Sequence, residues 1–328
     1  MVFKESKVIM IPYFNIQIKK FIPLYIIVLL FYGIYVISNY GINIFSLIND
    51  LKLKIFFAQI IILFGIFLRF LRWRIYINAL KLKSPLKIDF LIWMSSFAFL
   101  LTPGKAGEII RSFFLKEKLN HSVAKTIPCI LMERLSDGVS VLLIISFNIY
   151  SLKKLDINFF IPISLSFIFL FILVLLKKLK FIRSYILSFL SNLLPKKFSE
   201  SSYESLASFD NLIEIKVFTL SSFLGICSWI LESLSFWILL KGLNLNNISF
   251  EYATIAHLGA GLAGVFTFLP GGLGATEIGT TAILTLQNIP IKEAMTATIL
   301  IRLMTFWFAT LMGILALVIY NLKKISDH

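Results

Sequence analysis

Apolar residues run almost unbroken through long stretches of this chain, and polar residues gather at their ends and in two short interruptions. A helix needs roughly 20 apolar residues to cross a bilayer, whereas stretches of ~10–14 read as re-entrant segments. On that measure, spans are predicted at 21–40, 55–73, 125–150, 158–176, 215–240 and 293–320. Two further apolar regions are broken in the middle. Residues 89–119 are interrupted by Pro103-Gly104-Lys105-Ala106-Gly107, and residues 251–288 by Pro270-Gly271-Gly272-Leu273-Gly274. Proline withdraws a backbone donor and glycine loosens the backbone, so a helix ends at each break. The arms on either side are mostly too short to cross comfortably. The expected fold is therefore all-α integral membrane, an inverted repeat with six spanning helices plus two re-entrant helical hairpins.

Composition supports the membrane reading. Of the 328 residues 58% are hydrophobic and only 15% charged, with a net charge of +15. In a soluble protein that charge would point to nucleic acid. Here the basic residues sit at the ends of apolar runs, where they anchor helices and face an anionic leaflet, so no nucleic-acid partner is expected. Cys129 and Cys227 lie far apart inside apolar runs, and His121, His257 and His328 have no ligand spacing, so neither a disulfide framework nor a metal site is expected. The N-terminal basic residues precede a full-length apolar run with no cleavage-like sequence after it, which predicts a retained signal anchor.

Four basic clusters orient the chain. Lys19 and Lys20, then Arg72, Arg74, Lys81, Lys83 and Lys87 in the loop after the second span, then the lysines and Arg183 after the fourth span, then Lys323 and Lys324, all fall on one side if spans alternate. By the positive-inside rule that side is cytoplasmic, as are both termini, in a multi-pass protein of the cell membrane. The first hairpin then enters from the cytoplasm and the second from outside. One domain of 1–328 results, with repeat one at 20–150, repeat two at 158–320 and a cytoplasmic linker at 177–214. Within the linker, Ile182, Tyr185, Ile186, Phe189 and Leu190, then Leu206, Phe209 and Ile213, recur at helical spacing, which predicts amphipathic helices on the inner leaflet.

The repeat is visible in the motifs. Pro103-Gly104-x-x-Gly107-Glu108 answers Pro270-Gly271-x-x-Gly274-x-x-Glu277, and Glu133-Arg134-Leu135 answers Ile301-Arg302-Leu303. Pro103 precedes Arg134 by 31 residues and Pro270 precedes Arg302 by 32. Inverted repeats with broken helices at the midplane mark transporters. Arg134 and Arg302 lie about nine residues into their spans, roughly 13 Å deep at ~1.5 Å per residue. Charge at that depth costs at least ~2.5–3.5 kcal/mol per residue and demands partners or water. Glu133 and Asp137 share a helix face, Arg134 and Asp137 are close enough to pair, and Arg111 lies one turn from Glu108.

The candidate translocation site is Pro103, Gly104, Gly107, Glu108, Arg111, Glu133, Arg134, Asp137, Pro270, Gly271, Gly272, Gly274, Glu277 and Arg302. Hairpin tips offer free backbone N–H groups to an anion, and arginine forks hold phosphate in a bidentate way. Two plainer roles remain open at this point: Glu108 and Glu277 as helix caps, and Arg134 with Asp137 as a staple. Glu232 has no obvious charged partner in the sequence.

These stretches resemble the flippase-like family that includes the transmembrane region of lysylphosphatidylglycerol synthases. The resemblance rests on Pro103 to Glu108 with Arg111, on Glu133-Arg134-Leu135-Ser136-Asp137, on Pro270 to Glu277, and more weakly on Arg72-Trp73. It implies a membrane protein that moves, or helps to move, phospholipid or lipid-linked headgroups between leaflets. Bifunctional members add a cytosolic aminoacyl-transfer domain; this sequence ends at His328, so no aminoacyl transfer is expected. The expectation is a non-enzymatic transporter with no cofactor, since no nucleotide-binding glycine loop is present. Its rivals are a secondary transporter of a small soluble anion and a non-catalytic partner of a lipid-modifying enzyme. A homo-oligomer is compatible with either.

Overall fold

The computed structural model describes residues 44–102, 107–152 and 202–326, with isolated positions between 23 and 38 and Tyr185. The predicted spans 158–176 and, but for those isolated positions, 21–40 lie outside the described residues, as does the first linker helix. The chain divides into two compact units, Met1–Leu53 and Lys54–His328. Every candidate site residue, from Pro103 to Arg302, falls in the second.

The described residues are helical throughout their ordered elements. Helices α1 (Ile44–Ala79), α4 (Val123–Leu152) and α6 (Ile215–Gly242) are each long and apolar enough to cross a membrane. So is the pair α9 (Ile291–Arg302) and α10 (Phe308–Ser326), joined through one wide π-turn at Leu303–Trp307. These four account for the predicted spans 55–73, 125–150, 215–240 and 293–320. Both predicted breaks are present. The first separates α2 (Leu86–Ser95), continued by a 3₁₀ turn at Ser96–Phe99, from α3 (Ile110–Leu119). The second separates α7 (Phe250–Phe266) from α8 (Ala275–Thr285), with a 3₁₀ turn at Pro270–Gly272 between them. α8 folds back along α7: the Tyr252 hydroxyl at the start of α7 donates to the Ile283 carbonyl near the end of α8.

Hydrocarbon is as apolar as leucine, so helices associate in a membrane through close packing and polar contacts rather than through water exclusion. α6 carries small residues for this purpose. Ser228 Oγ donates to the Gly65 carbonyl, Ser235 Oγ to the Ala58 carbonyl, and Ser140 Oγ of α4 to the Ser222 carbonyl. These pairs, with Lys54 Nζ on the Lys241 carbonyl, run in opposite sense along α1 and α6, so the two helices are antiparallel. α2 therefore begins at one end of the pair and α7 at the other. Near the end where α1 finishes, Ala79, Lys81, Lys125 and Glu204 line a common cleft of about 360 Å³.

Two expectations change. Arg72 and Arg74 are not in a loop, because α1 continues to Ala79 and carries both inside it. The short helix α5 (Ser202–Leu212) does not turn its apolar face to a leaflet. Phe209, Leu212 and Ile213 are buried, and Ser205 Oγ donates to the Ala124 carbonyl at the start of α4. The apolar spacing was right, but protein rather than lipid covers it.

α10 lies directly on the 3₁₀ turn of the first hairpin. A methyl group at Gly313 would press into the backbone of Phe97 and Ala98. Gly313→Ala is expected to cost about 1–3 kcal/mol, the usual range for overpacking. Thermal unfolding in detergent checks this; an unchanged midpoint would mean that the contact is loose.

Candidate functional site

The first break closes on itself. Thr102 Oγ1 donates to the Phe99 carbonyl at 2.8 Å and accepts from the Gly107 N–H at 2.6 Å. Only glycine fits at 107, since a methyl there would stand 2.5 Å from Phe99 Cβ and 2.7 Å from its carbonyl oxygen. Pro103 and Gly104 lie outside the described residues. One residue beyond Gly107, Glu108 is buried, and the second arm carries Arg111 into the protein at 1% exposure.

Around Arg111 the structure assembles the charged residues predicted for the first repeat. Arg111 bridges Glu108 at 3.0 Å and Glu133 at 2.7 Å. Arg134 reaches Glu108 at 3.0 Å and Asp137 at 3.5 Å. Asp137 also accepts from Arg72 at 2.6 Å and from the Trp229 indole at 3.1 Å. Three guanidinium groups thus face three carboxylates in one network, which offsets the desolvation of each. Their exposures differ in a way that matters: the Arg72 and Arg111 side chains are 2% and 1% exposed, that of Arg134 34%. Arg134 is the most exposed of the three. The Nε atoms of Arg72, Arg111 and Arg134 are buried with no hydrogen-bond partner among the described residues, so donors outnumber acceptors here.

The second break builds a smaller version of the same device. Gly271 and Gly272 hold φ at +61° and +64°, in the left-handed region that glycine adopts without strain. Glu277 caps the tip, accepting from the Gly274 N–H at 2.7 Å, and its other oxygen accepts from Arg302 Nε at 2.7 Å. Arg302 Nη2 donates to the Gly271 carbonyl at 2.9 Å, and its guanidinium lies 4.4 Å over the Phe306 ring. Capping and pairing are therefore one arrangement at Glu277. Glu108–Arg134 and Glu277–Arg302 match in kind: each joins the start of a second hairpin arm to the span that follows. The second tip also lies against the residues that lead into the first break. A methyl on Gly271 would stand 3.3 Å from Leu101 Cδ2, just before Pro103, and 2.5 Å from Phe306 Cζ.

The model of the lysylphosphatidylglycerol synthase TM region matches residues 22–313. This chain belongs to that family. Among curated relatives, a UPF0104 membrane protein of Methanocaldococcus jannaschii is 27% identical over 68% of this chain and 93% of its own length. A second from the same organism is 26% identical over 76% of this chain and 79% of its own. A third, from Pyrococcus horikoshii, is 23% identical over 74% and 79%. Membership in the synthase TM-region family, together with four long apolar helices, makes this a multi-pass membrane protein.

Several charged partners escape a reading of the sequence. Glu232 does have a cation: Arg69, at 2.6 Å, with His257 at 3.1 Å on its other oxygen. Asp89, fully buried, accepts from the Trp73 indole at 3.0 Å and pairs with Arg74. Trp73 stacks 4.9 Å from the Arg111 guanidinium, and so ties this pair to the main network. The available signal was the rule that a charge inside an apolar run is functional. It applies to Arg69 and Arg72 but is masked by their nearness to the basic end of the span.

Proposed function

We propose that this protein is a transporter, not an enzyme, that moves phospholipid or lipid-linked anionic headgroups between leaflets of the cell membrane. The observation that carries the reading is the approach of Leu101, just ahead of the first break, to Gly271 in the second, in hairpins that begin at opposite ends of the α1/α6 pair, together with a partly exposed Arg134 in the charge network behind the first break. In this reading the chain is an inverted repeat of six spans and two re-entrant hairpins, with both termini in the cytoplasm. The basic residues Lys81, Lys83, Lys87, Lys116, Lys118 and Lys125 near one end support that orientation. The headgroup phosphate exchanges with Glu108 and Asp137 for the fork of Arg134, while the acyl chains stay in lipid. Arg72 and Arg111 hold the carboxylates in place, and Arg302 with Glu277 sets the second tip.

The test is lipid crossing by purified protein in liposomes, followed with labelled phosphatidylglycerol. Losing one charge-assisted contact is worth ~1.5–3 kcal/mol, so Arg134→Ala is expected to slow crossing by about tenfold or more. Arg134→Lys recovers part of the rate, because the charge returns without the fork. Wild-type rates in Arg134→Ala would remove the site assignment. Uptake of a water-soluble anion without lipid crossing would transfer the site to a soluble substrate.

A further inference from the structure

One charged cluster takes no part in that site. Arg69 on α1, Glu232 on α6 and His257 on α7 meet where three elements pack, with Glu232 Oε2 on Arg69 and Oε1 on His257 Nε2. His257 is 8% exposed and lies 5.5 Å from the Phe236 ring. α4 presents Val141, Ile144, Ile145 and Ile149 to α7, and α8 presents Gly279 and Ile283; all are apolar. Among the described residues, the charged groups facing His257 are therefore Glu232 and Arg69, with Asp137 one side chain further on. That side chain is Trp229. Its ring lies 4.4 Å beneath the Arg69 guanidinium and its Nε1–H donates to Asp137, the carboxylate that also holds Arg72 and Arg134.

We propose that His257, with Glu232 and Arg69, is a proton site that couples proton movement to headgroup binding at Arg134. The inference rests on the transport reading above and supplies its energy source. With Nε2–H donating to Glu232, an incoming proton bonds to the Nδ1 lone pair and makes the ring a cation. Neutral His257 leaves Arg69 and Glu232 as a balanced pair. Protonated His257 competes with Arg69 for the one carboxylate, and the excess positive charge falls toward Trp229 and Asp137. Asp137 then has three cations to answer and releases Arg134 to an anion. The bound headgroup supplies the missing negative charge, so proton and headgroup favour each other's binding by the same factor. The proton leaves to water from Nδ1 when the headgroup leaves. Histidine suits this task because one ring nitrogen can hold a hydrogen bond while the other gains or loses a proton.

The experiment uses the full chain in phosphatidylcholine vesicles with a minor fraction of fluorescently labelled phosphatidylglycerol, read by reductive quenching at several pH values. Wild-type crossing is expected to rise as pH falls, by at most about tenfold per unit for one proton. In His257→Gln and Glu232→Gln the pH response is expected to vanish. A second measurement does not depend on the variants: adding glycerol phosphate to wild-type protein in weakly buffered detergent should draw protons from a pH-sensitive dye. A full pH response in His257→Gln, or no proton uptake by wild type, would overturn the proposal. Wild-type crossing that ignores pH sinks the proton site alone; no wild-type crossing at any pH sinks the transport reading.

Discussion

Glu133→Gln is expected to destabilise the protein by about 3–5 kcal/mol, the cost of leaving a buried ion without its counter-charge. Glu133 is 2% exposed and holds Arg111, itself 1% exposed, at 2.7 Å. The glutamine keeps the shape and one acceptor, so the loss isolates charge from packing. Arg111 would be left with Glu108, which it already shares with Arg134, and the network would carry a net positive charge with little water near Arg111. Cys129 provides the readout. It is fully buried one turn before Glu133, so in a Cys227→Ser background, which removes the half-buried second thiol, a thiol-reactive dye reacts only as the fold opens. Glu214→Gln, at an exposed site before α6, is the control and is expected to stay within about 0.5 kcal/mol. Equal midpoints for the two variants would mean that the network is wetter and looser than its geometry indicates.

The second large effect belongs to Arg302. Arg302→Leu takes the guanidinium counter-charge away from Glu277, 4% exposed, and frees the Gly271 carbonyl. Destabilisation of about 3–5 kcal/mol is expected, together with loss of lipid crossing. The double variant Arg302→Leu with Glu277→Gln separates the two consequences. It removes the stranded charge and keeps an acceptor for the Gly274 N–H, so most of the lost stability should return. Crossing should not return, because nothing then clamps the tip against Phe306. Wild-type crossing in the double variant would limit Arg302 to holding the fold together.

How far these features were legible in the sequence depends on how local their causes are. The four described spans and both breaks were readable because run length and proline–glycine placement act on the chain directly around them. Pairings within a few residues, such as Glu108 with Arg111 and Arg134 with Asp137, followed from helix geometry. Glu108 with Arg134 and Glu277 with Arg302 were not read as pairs, although the two motifs recur at nearly the same spacing. Nothing of that kind points from Glu232 to Arg69, 163 residues away, or from Trp229 to Asp137, 92 residues away. Such contacts depend on which helices become neighbours. Arg72 was misplaced for another reason: the rule that assigns basic residues to the cytoplasmic side cannot distinguish a residue flanking a helix from one in its last turns. The apolar face of α5 was legible, but what would cover it was not.

The π-turn at Leu303–Trp307 has a bearing on how this span can change length. A turn of this kind fits one extra residue into an otherwise regular helix, and the parts on either side keep the rotational phase they would have without it. Arg302 precedes it and faces the second tip; Gly313 follows it and faces the first hairpin. Excising a single residue between 303 and 307 would let the coil tighten to ordinary pitch while both flanking faces still meet their neighbours. The same deletion three turns later would swing Tyr320 away from Glu117 and Phe114. The span thus contains one short window in which an insertion or loss is absorbed, next to the residue on which the second tip depends.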